Sequence, residues 1–214
     1  VMNSVHNNVV IYIVEDDFAV RGAIEKLVNS VGMSSVCCSS AEEFLKNYDE
    51  ETPGCLVLDV RMNGMSGIEL QKILIKRGSV IPIVFITGHG DIPMAVETLK
   101  RGAVNFIEKP FRNQELLDSI NSAIQLDKKS RDHCEKIKLL MDNYSNLTSR
   151  EKEVAQLISQ GKISKQIADT LYLSPRTIET HRANIMKKMG SSNSFELMKK
   201  LIQVGTATDK SENY

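Results

Sequence analysis

Four short apolar runs in this chain each end on a polar residue of a different kind. VVIYIV leads into Glu15-Asp16-Asp17, CLVL into Asp59, IPIVFI into Thr87, and AVNFIE into Lys109-Pro110. The runs are rich in β-branched residues and separated by stretches with helical spacing of apolar positions. Strands that are apolar without alternation are buried on both faces, which is the property of a parallel sheet with helices on either side. The pattern predicts strands at 9–14, 34–38, 55–58, 82–86 and 104–107. Helices are predicted at 18–32, 40–49, 66–77, 91–101 and 112–126. Ser40 with Glu43 forms a capping box, and Gly32, Gly78 and Gly102 stand where helices should stop. The fold class is therefore α/β: a doubly wound five-stranded parallel sheet with expected strand order 2-1-3-4-5. Ligands of such sheets bind outside the carboxyl ends of the strands, where these polar residues gather.

The chain has 214 residues, 42% hydrophobic and 25% charged, enough for two domains with a core each. Its net charge of zero hides an asymmetry. Residues 1–125 carry sixteen acidic against eleven basic side chains, whereas residues 144–214 carry seven against eleven. An acidic front and a basic back suit a cation-binding module joined to a polyanion-binding one. Cys37, Cys38, Cys55 and Cys134 lack metal-ligand spacing and read as free thiols of a reducing compartment. No apolar stretch approaches transmembrane length, and the first residues lack a secretory leader's pattern. The expectation is a cytoplasmic protein without a membrane partner.

The first module spans residues 8–126. Residues 127–145 (DKKSRDHCEKIKLLMDNYS) are charged and free of Gly and Pro, with Ile137, Leu140, Met141 and Tyr144 at helical spacing. They read as a helical, semi-rigid linker that can continue the fifth helix. A small all-α domain follows over residues 146–206, and a polar tail from Thr206 is expected to be disordered.

The rim residues define a chemistry. A carboxylate at the mouth of a Gly-rich loop, Asp59 before VRMNGMSG, can accept a phosphoryl group as an acyl phosphate. Glu15, Asp16 and Asp59 crowded together would repel the donor, so a hard cation is required, and Mg²⁺ fits oxygen ligands with phosphate. Lys109 can pair with a phosphoryl oxygen and Thr87 can hydrogen-bond another. Lys109-Pro110 is a candidate cis peptide that would aim the lysine across the rim. An isolated acid after a strand is most often only a helix cap. Four such residues on four strand ends are rarely coincidence.

In the second half, Thr148 and Glu151 form a capping box that opens LTSREKEVAQLISQG, with Gly161 as the stop. ISKQIADTLY follows, and then Ser174-Pro175 starts LSPRTIETHRANIMKKMG. Ile178, Ile185 and Met189 recur at core spacing. Glu179, Thr180, Ala183 and Lys187 form an opposite stripe. Two short helices with a tight turn match a helix-turn-helix whose second helix enters the major groove. The expected DNA-contact set is Lys165, Arg176, Thr177, Glu179, Thr180, Arg182, Ala183 and Lys187. Lys188 is counted among the phosphate contacts.

Residues 9–125 resemble a response-regulator receiver domain, a flavodoxin-like fold, through VEDD, LVLDVRM, FITGHGD and FIEKP. The resemblance implies that Asp59 is phosphorylated by a sensor histidine kinase and that Asp16 ligates Mg²⁺ directly. It also implies that Glu15 acts mainly through water, that the Arg61 backbone carbonyl is a ligand, and that Phe106 is a switch aromatic answering Thr87. Arg61 and His89 fall at positions that bear on phosphoryl lifetime. Such loops commonly read RMPGMSG, and Asn63 in place of the proline is expected to loosen the loop without removing a ligand. Residues 147–205 resemble the LuxR/FixJ-type, GerE-like DNA-binding domain through LTSREKEV, SKQIA, SPRTIETHRANIMKKM and FELMKKLIQVG. By position in that pattern Glu179, Thr180 and Ala183 face base edges. The family often has lysine at the first and last of these, so Glu179 and Ala183 alter the sequence preference. Together these imply a regulator, not an enzyme, that binds double-stranded promoter DNA and forms a homodimer when phosphorylated, through the face of helix 91–101 and strand 104–107 with Ile92, Pro93, Met94 and Val96. Two rivals remain. An aspartyl-phosphate phosphatase of the haloacid-dehalogenase type needs a carboxylate two residues after the nucleophile, where this chain has Arg61. A receiver working without phosphorylation would not require the complete acidic site.

Overall fold

The computed structural model describes residues 9–88, 100 and 102–211, the side chains of 207–211 excepted. Of the predicted helix 91–101 only Lys100, which is helical, lies among the described residues; His89, Ile92, Pro93, Met94 and Val96 lie outside them. The chain divides into two compact units between Arg131 and Asp132.

In the first unit, β1 (Val10–Val14), β2 (Ser34–Cys38), β3 (Gly54–Asp59), β4 (Ile83–Thr87) and β5 (Asn105–Glu108) form one parallel sheet. Their order, β2-β1-β3-β4-β5, is the one predicted. Successive side chains point to opposite faces, so each strand feeds two cores. Tyr12, Val14, Leu56, Leu58 and Phe85 lie on one face. Ile11, Ile13, Cys55, Val57 and Val84 lie on the other. Because β1, β3 and β4 are buried on both faces, their sequences carry no alternation.

The helices α1 (Phe18–Ser30), α2 (Ala41–Asn47) and α3 (Gly67–Lys76) start on side-chain caps that satisfy otherwise orphaned amides. Asp17 accepts from Ala19 N and Val20 N at 2.8 and 3.0 Å. Ser66 and Glu69 form a full capping box for α3 that the sequence reading missed. At α2 only half of the expected box forms. The Ser40 hydroxyl accepts from Glu43 N, but the Glu43 carboxylate turns to Ser39 N and Oγ at 2.6 and 2.7 Å. An adjacent serine offers that carboxylate two donors instead of one. Gly67 has a steric reason: a Cβ there would stand 2.2 Å from the Asp59 carbonyl oxygen, so only glycine lets α3 begin this close to β3.

Helix α4 (Asn113–Ser145) runs 33 residues without a break. Asp127, buried at 2% exposure, accepts from Gly54 N at 3.0 Å and pairs with Arg131 Nε. Arg131 also donates to the carbonyls of Glu50, Glu51 and Thr52. These two residues, assigned by sequence to the linker, hold the helix against the start of β3.

The second unit contains α5 (Ser149–Ser159), α6 (Ser164–Leu171), α7 (Pro175–Lys188) and α8 (Ser194–Ser211). Val154, Ile158, Ile167, Ile178, Ile185, Met189, Leu197 and Leu201 form its core, with Leu140, Met141 and Tyr144 packed against it. The expectation of a disordered tail from Thr206 is corrected: α8 continues to Ser211. No proline interrupts it, and the Thr206 hydroxyl bonds to the Gln203 carbonyl. The four cysteines are free, as expected. Among the described residues no helix is long and apolar enough to cross a membrane.

Candidate functional site

The carboxyl end of the sheet gathers the polar residues that close the apolar runs. Glu15 and Asp16 follow β1, Asp59 ends β3, Thr87 ends β4 and Lys109 follows β5. One carboxylate oxygen from each of Glu15, Asp16 and Asp59 lies within 4.8 Å of the others. Glu15 is 1% exposed and Asp59 6%, while Asp16 is half-buried. The ammonium of Lys109 donates to Glu15 Oε2 at 2.6 Å and stands 3.1 Å from Asp59 Oδ2. The Lys109-Pro110 peptide is cis, as the sequence suggested, and Lys109 N donates to the Thr87 carbonyl at 2.7 Å. Thr87 is buried, and Phe106 is half-buried with its ring 6.4 Å from that of Phe85.

Burial raises the Glu15 carboxyl above its ordinary value, the Lys109 hydrogen bond opposes this, and the Asp59 charge adds to the rise. Burial alone would lower the Lys109 ammonium. The Glu15 hydrogen bond and the charges of Asp59 and Glu15 outweigh it, so the lysine is held protonated above the ordinary range. One ammonium thus serves two buried carboxylates, with a third beside them. That imbalance of charge is what a divalent cation would relieve. The donor set fits Mg²⁺ in kind: it is all oxygen and carries the carboxylate charge that this hard cation takes.

The loop after β3 departs from expectation. Asn63 does not leave it loose, because its backbone N–H and side-chain amide both donate to Asp16 Oδ2, at 3.0 and 2.8 Å. Arg61 N approaches Asp59 Oδ1 at 3.4 Å. Sequence reasoning took Asn63 for a lost proline. An amide opposite an acidic pair was the available signal.

In the second unit, Ser174 caps α7 by accepting from Thr177 N at 3.1 Å, and Pro175 opens the helix. Ile178 and Ile185 are fully buried. Glu179, Thr180, Ala183 and Lys187 are exposed, as are Lys165 and Arg176, while Arg182 is half-buried. Two side chains are already engaged: the Thr177 hydroxyl with Ser174 Oγ at 2.8 Å, and the Thr180 hydroxyl with the Arg176 carbonyl at 3.1 Å. Lys188 has a partner inside the domain that the sequence reading did not foresee. Its ammonium lies 2.7 Å from Oε2 of the buried Glu151, whose carboxylate also closes the Thr148 capping box. That bond, burial opposing it, holds the Glu151 carboxyl below its ordinary value.

Comparison with known proteins agrees with both halves. The response regulator receiver domain model matches residues 11–121, and the model of bacterial regulatory proteins of the luxR family matches residues 145–201. The chain is similar to the response regulator protein TodT of Pseudomonas putida, 46% identical over 190 residues, covering 89% of this chain and 84% of that protein. It is also similar to the transcriptional regulatory protein FixJ of Bradyrhizobium diazoefficiens, 38% identical over 199 residues, covering 93% and 97%. Among solved structures, the response regulator StyR superposes with a TM-score of 0.78 at 42% identity, over 91% of this chain and 98% of that one. With a receiver domain and a luxR-family domain matched in order, and relatives of the same build along nearly its whole length, the chain belongs to the transcriptional response regulators that join a receiver to a LuxR-type DNA-binding domain.

Proposed function

We propose that Asp59 is the phosphoryl acceptor of this regulator and that phosphorylation governs binding of promoter DNA by the α7 surface. The observation that carries the reading is the convergence of Glu15, Asp16 and Asp59 with Lys109, whose ammonium reaches both Glu15 and Asp59. A sensor histidine kinase donates the phosphoryl group. An Asp59 carboxylate oxygen forms the new P–O bond as the donor's P–N bond breaks, and the imidazole departs with the electron pair. Asp16 and Asp59, the Arg61 carbonyl, and Glu15 through water would hold Mg²⁺, which supplies charge neutralisation between carboxylate and phosphate when bound. Lys109 stays at the rim to pair with a phosphoryl oxygen, Thr87 hydrogen-bonds another, and Phe106 follows Thr87. The chain is an acceptor, not a turnover enzyme, and works in the cytoplasm as a homodimer when phosphorylated. Residues 8–126 form the receiver, to which Asp127 and Arg131 also hold, the rest of 127–145 forms the linker and 146–206 the DNA-binding domain. In the latter Lys165, Arg176, Arg182 and Lys187 contact the backbone, Glu179, Thr180 and Ala183 face base edges, and Thr177 belongs to the same contact surface. Incubation with acetyl phosphate and Mg²⁺ tests the acceptor: wild-type protein gains one phosphoryl group by intact mass, and Asp59→Asn gains none. A stable label on Asp59→Asn would place the acceptor elsewhere.

A further inference from the structure

Asp16 is the most exposed of the three carboxylates, and a solvent-facing aspartate samples several rotamers unless something holds it. Here the holder is Asn63, 47 residues away in sequence, which places two donors on a single oxygen: N–H at 3.0 Å and Nδ2 at 2.8 Å. We infer that Asn63 is a positioning residue for the magnesium site, fixing the Asp16 carboxylate in its cation-binding orientation before the ion arrives. The inference rests on the metal-site reading above.

Two opposite roles are conceivable for such a clamp, and the geometry separates them. Had Asn63 drawn Asp16 away from the rim, the bonds would compete with the cation. Instead, with both bonds in place, an Asp16 oxygen already lies within 4.8 Å of oxygens of Glu15 and Asp59. A carboxylate offers roughly four lone-pair sites. Asn63 takes two of them on Oδ2, which leaves the lone pairs of Oδ1 for an ion. Hydrogen bonds to ligating carboxylates set ligand orientation, and their loss typically weakens metal binding by about 10- to 100-fold. Asn63 is itself exposed, so water replaces part of what is lost and the effect falls at or below the lower end. The backbone half of the clamp is available to any residue except proline, which has no N–H. The side-chain half requires a donor of this length.

The two halves make a graded series. Titration of the full chain with MgCl₂ by isothermal calorimetry should give a dissociation constant about three- to tenfold weaker for Asn63→Ala, which keeps the N–H. Asn63→Pro, which removes both donors, should be weaker again. Melting in EDTA reports folding separately, and both variants should melt with the wild type. An Asn63→Ala protein that binds Mg²⁺ as tightly as wild type, or more tightly, overturns the positioning role while leaving the metal site standing. A wild-type chain that binds no Mg²⁺ at millimolar concentration overturns both.

Discussion

Lys188 separates fold from function on a single helix. Lys187 and Lys188 are neighbours at the end of α7, and by charge alone either could meet a phosphate. In the structure Lys187 is exposed on the stripe of Glu179, Thr180 and Ala183, whereas Lys188 is bonded to Glu151 at 2.7 Å. Glu151 is 4% exposed and its carboxylate also closes the cap of α5. Lys188→Met keeps the aliphatic stem and removes the charge. A hydrogen bond between charged groups contributes roughly 1.5–3 kcal/mol. The lysine side chain is 36% exposed, and screening discounts this to about 1–2 kcal/mol. For a unit of this size that is a fall of about 4–15 °C in the Tm of the C-terminal transition. The loss depends on pH with a definite sign. Because the folded-state pKa of Glu151 is depressed, its contribution is complete above the ordinary glutamate value and disappears as pH falls through the folded value. The two proteins should therefore melt apart at pH 7 and converge in acid. DNA binding by the full chain at several salt concentrations completes the assay. Lys187→Met should reduce the log–log slope by about 0.9, the share of one phosphate contact, and Lys188→Met should leave it unchanged when measured below its lower Tm. A Lys188→Met protein with wild-type Tm and a reduced slope would refute the division between the two lysines.

Arg131→Ala should destabilise the first unit by about 2–3 kcal/mol in urea denaturation, because it leaves the buried Asp127 charge with the Gly54 N–H alone and uncaps three carbonyls. Arg131→Lys should recover only a minor part, since an ammonium cannot span that arrangement, and full recovery would show that charge alone matters. Beryllofluoride with Mg²⁺ should convert the full chain from monomer to dimer in sedimentation velocity. A monomer under both conditions with enhanced DNA binding would exclude dimerisation as the route of activation.

Most of the fold was legible because its signals are local. The runs ending at Asp59 and Thr87 announce buried parallel strands within five or six residues, and a polar residue closing such a run has only the sheet's rim to occupy. The caps at Thr148 and Ser174 were legible for the same reason, since each is closed by a residue three positions on. Partnerships across the chain were not. Asn63 reaches Asp16 over 47 residues, Lys188 reaches Glu151 over 37, and Arg131 reaches Thr52 over 79. Nothing in a one-dimensional pattern distinguishes an amide that clamps a carboxylate from one that fills a loop. For the lysines a partial signal existed, because Lys188 falls three residues after the buried Ile185, at the edge of the core stripe, and Lys187 does not.

That distinction changes what the basic excess of the second half means. Pairing within the domain removes equal numbers of both signs: Arg150 with Glu153, Lys188 with Glu151 and Lys200 with Glu196. Of the ten basic and five acidic side chains in residues 144–206, seven and two remain outside these three pairs. The same net charge is thus carried by fewer groups, Lys165, Arg176, Arg182 and Lys187 among them. A charge distributed evenly over a domain attracts polyanions without orienting them. Charges left on Lys165, Arg176, Arg182 and Lys187 would orient the approach as well, which is what the proposed reading of base edges by α7 requires.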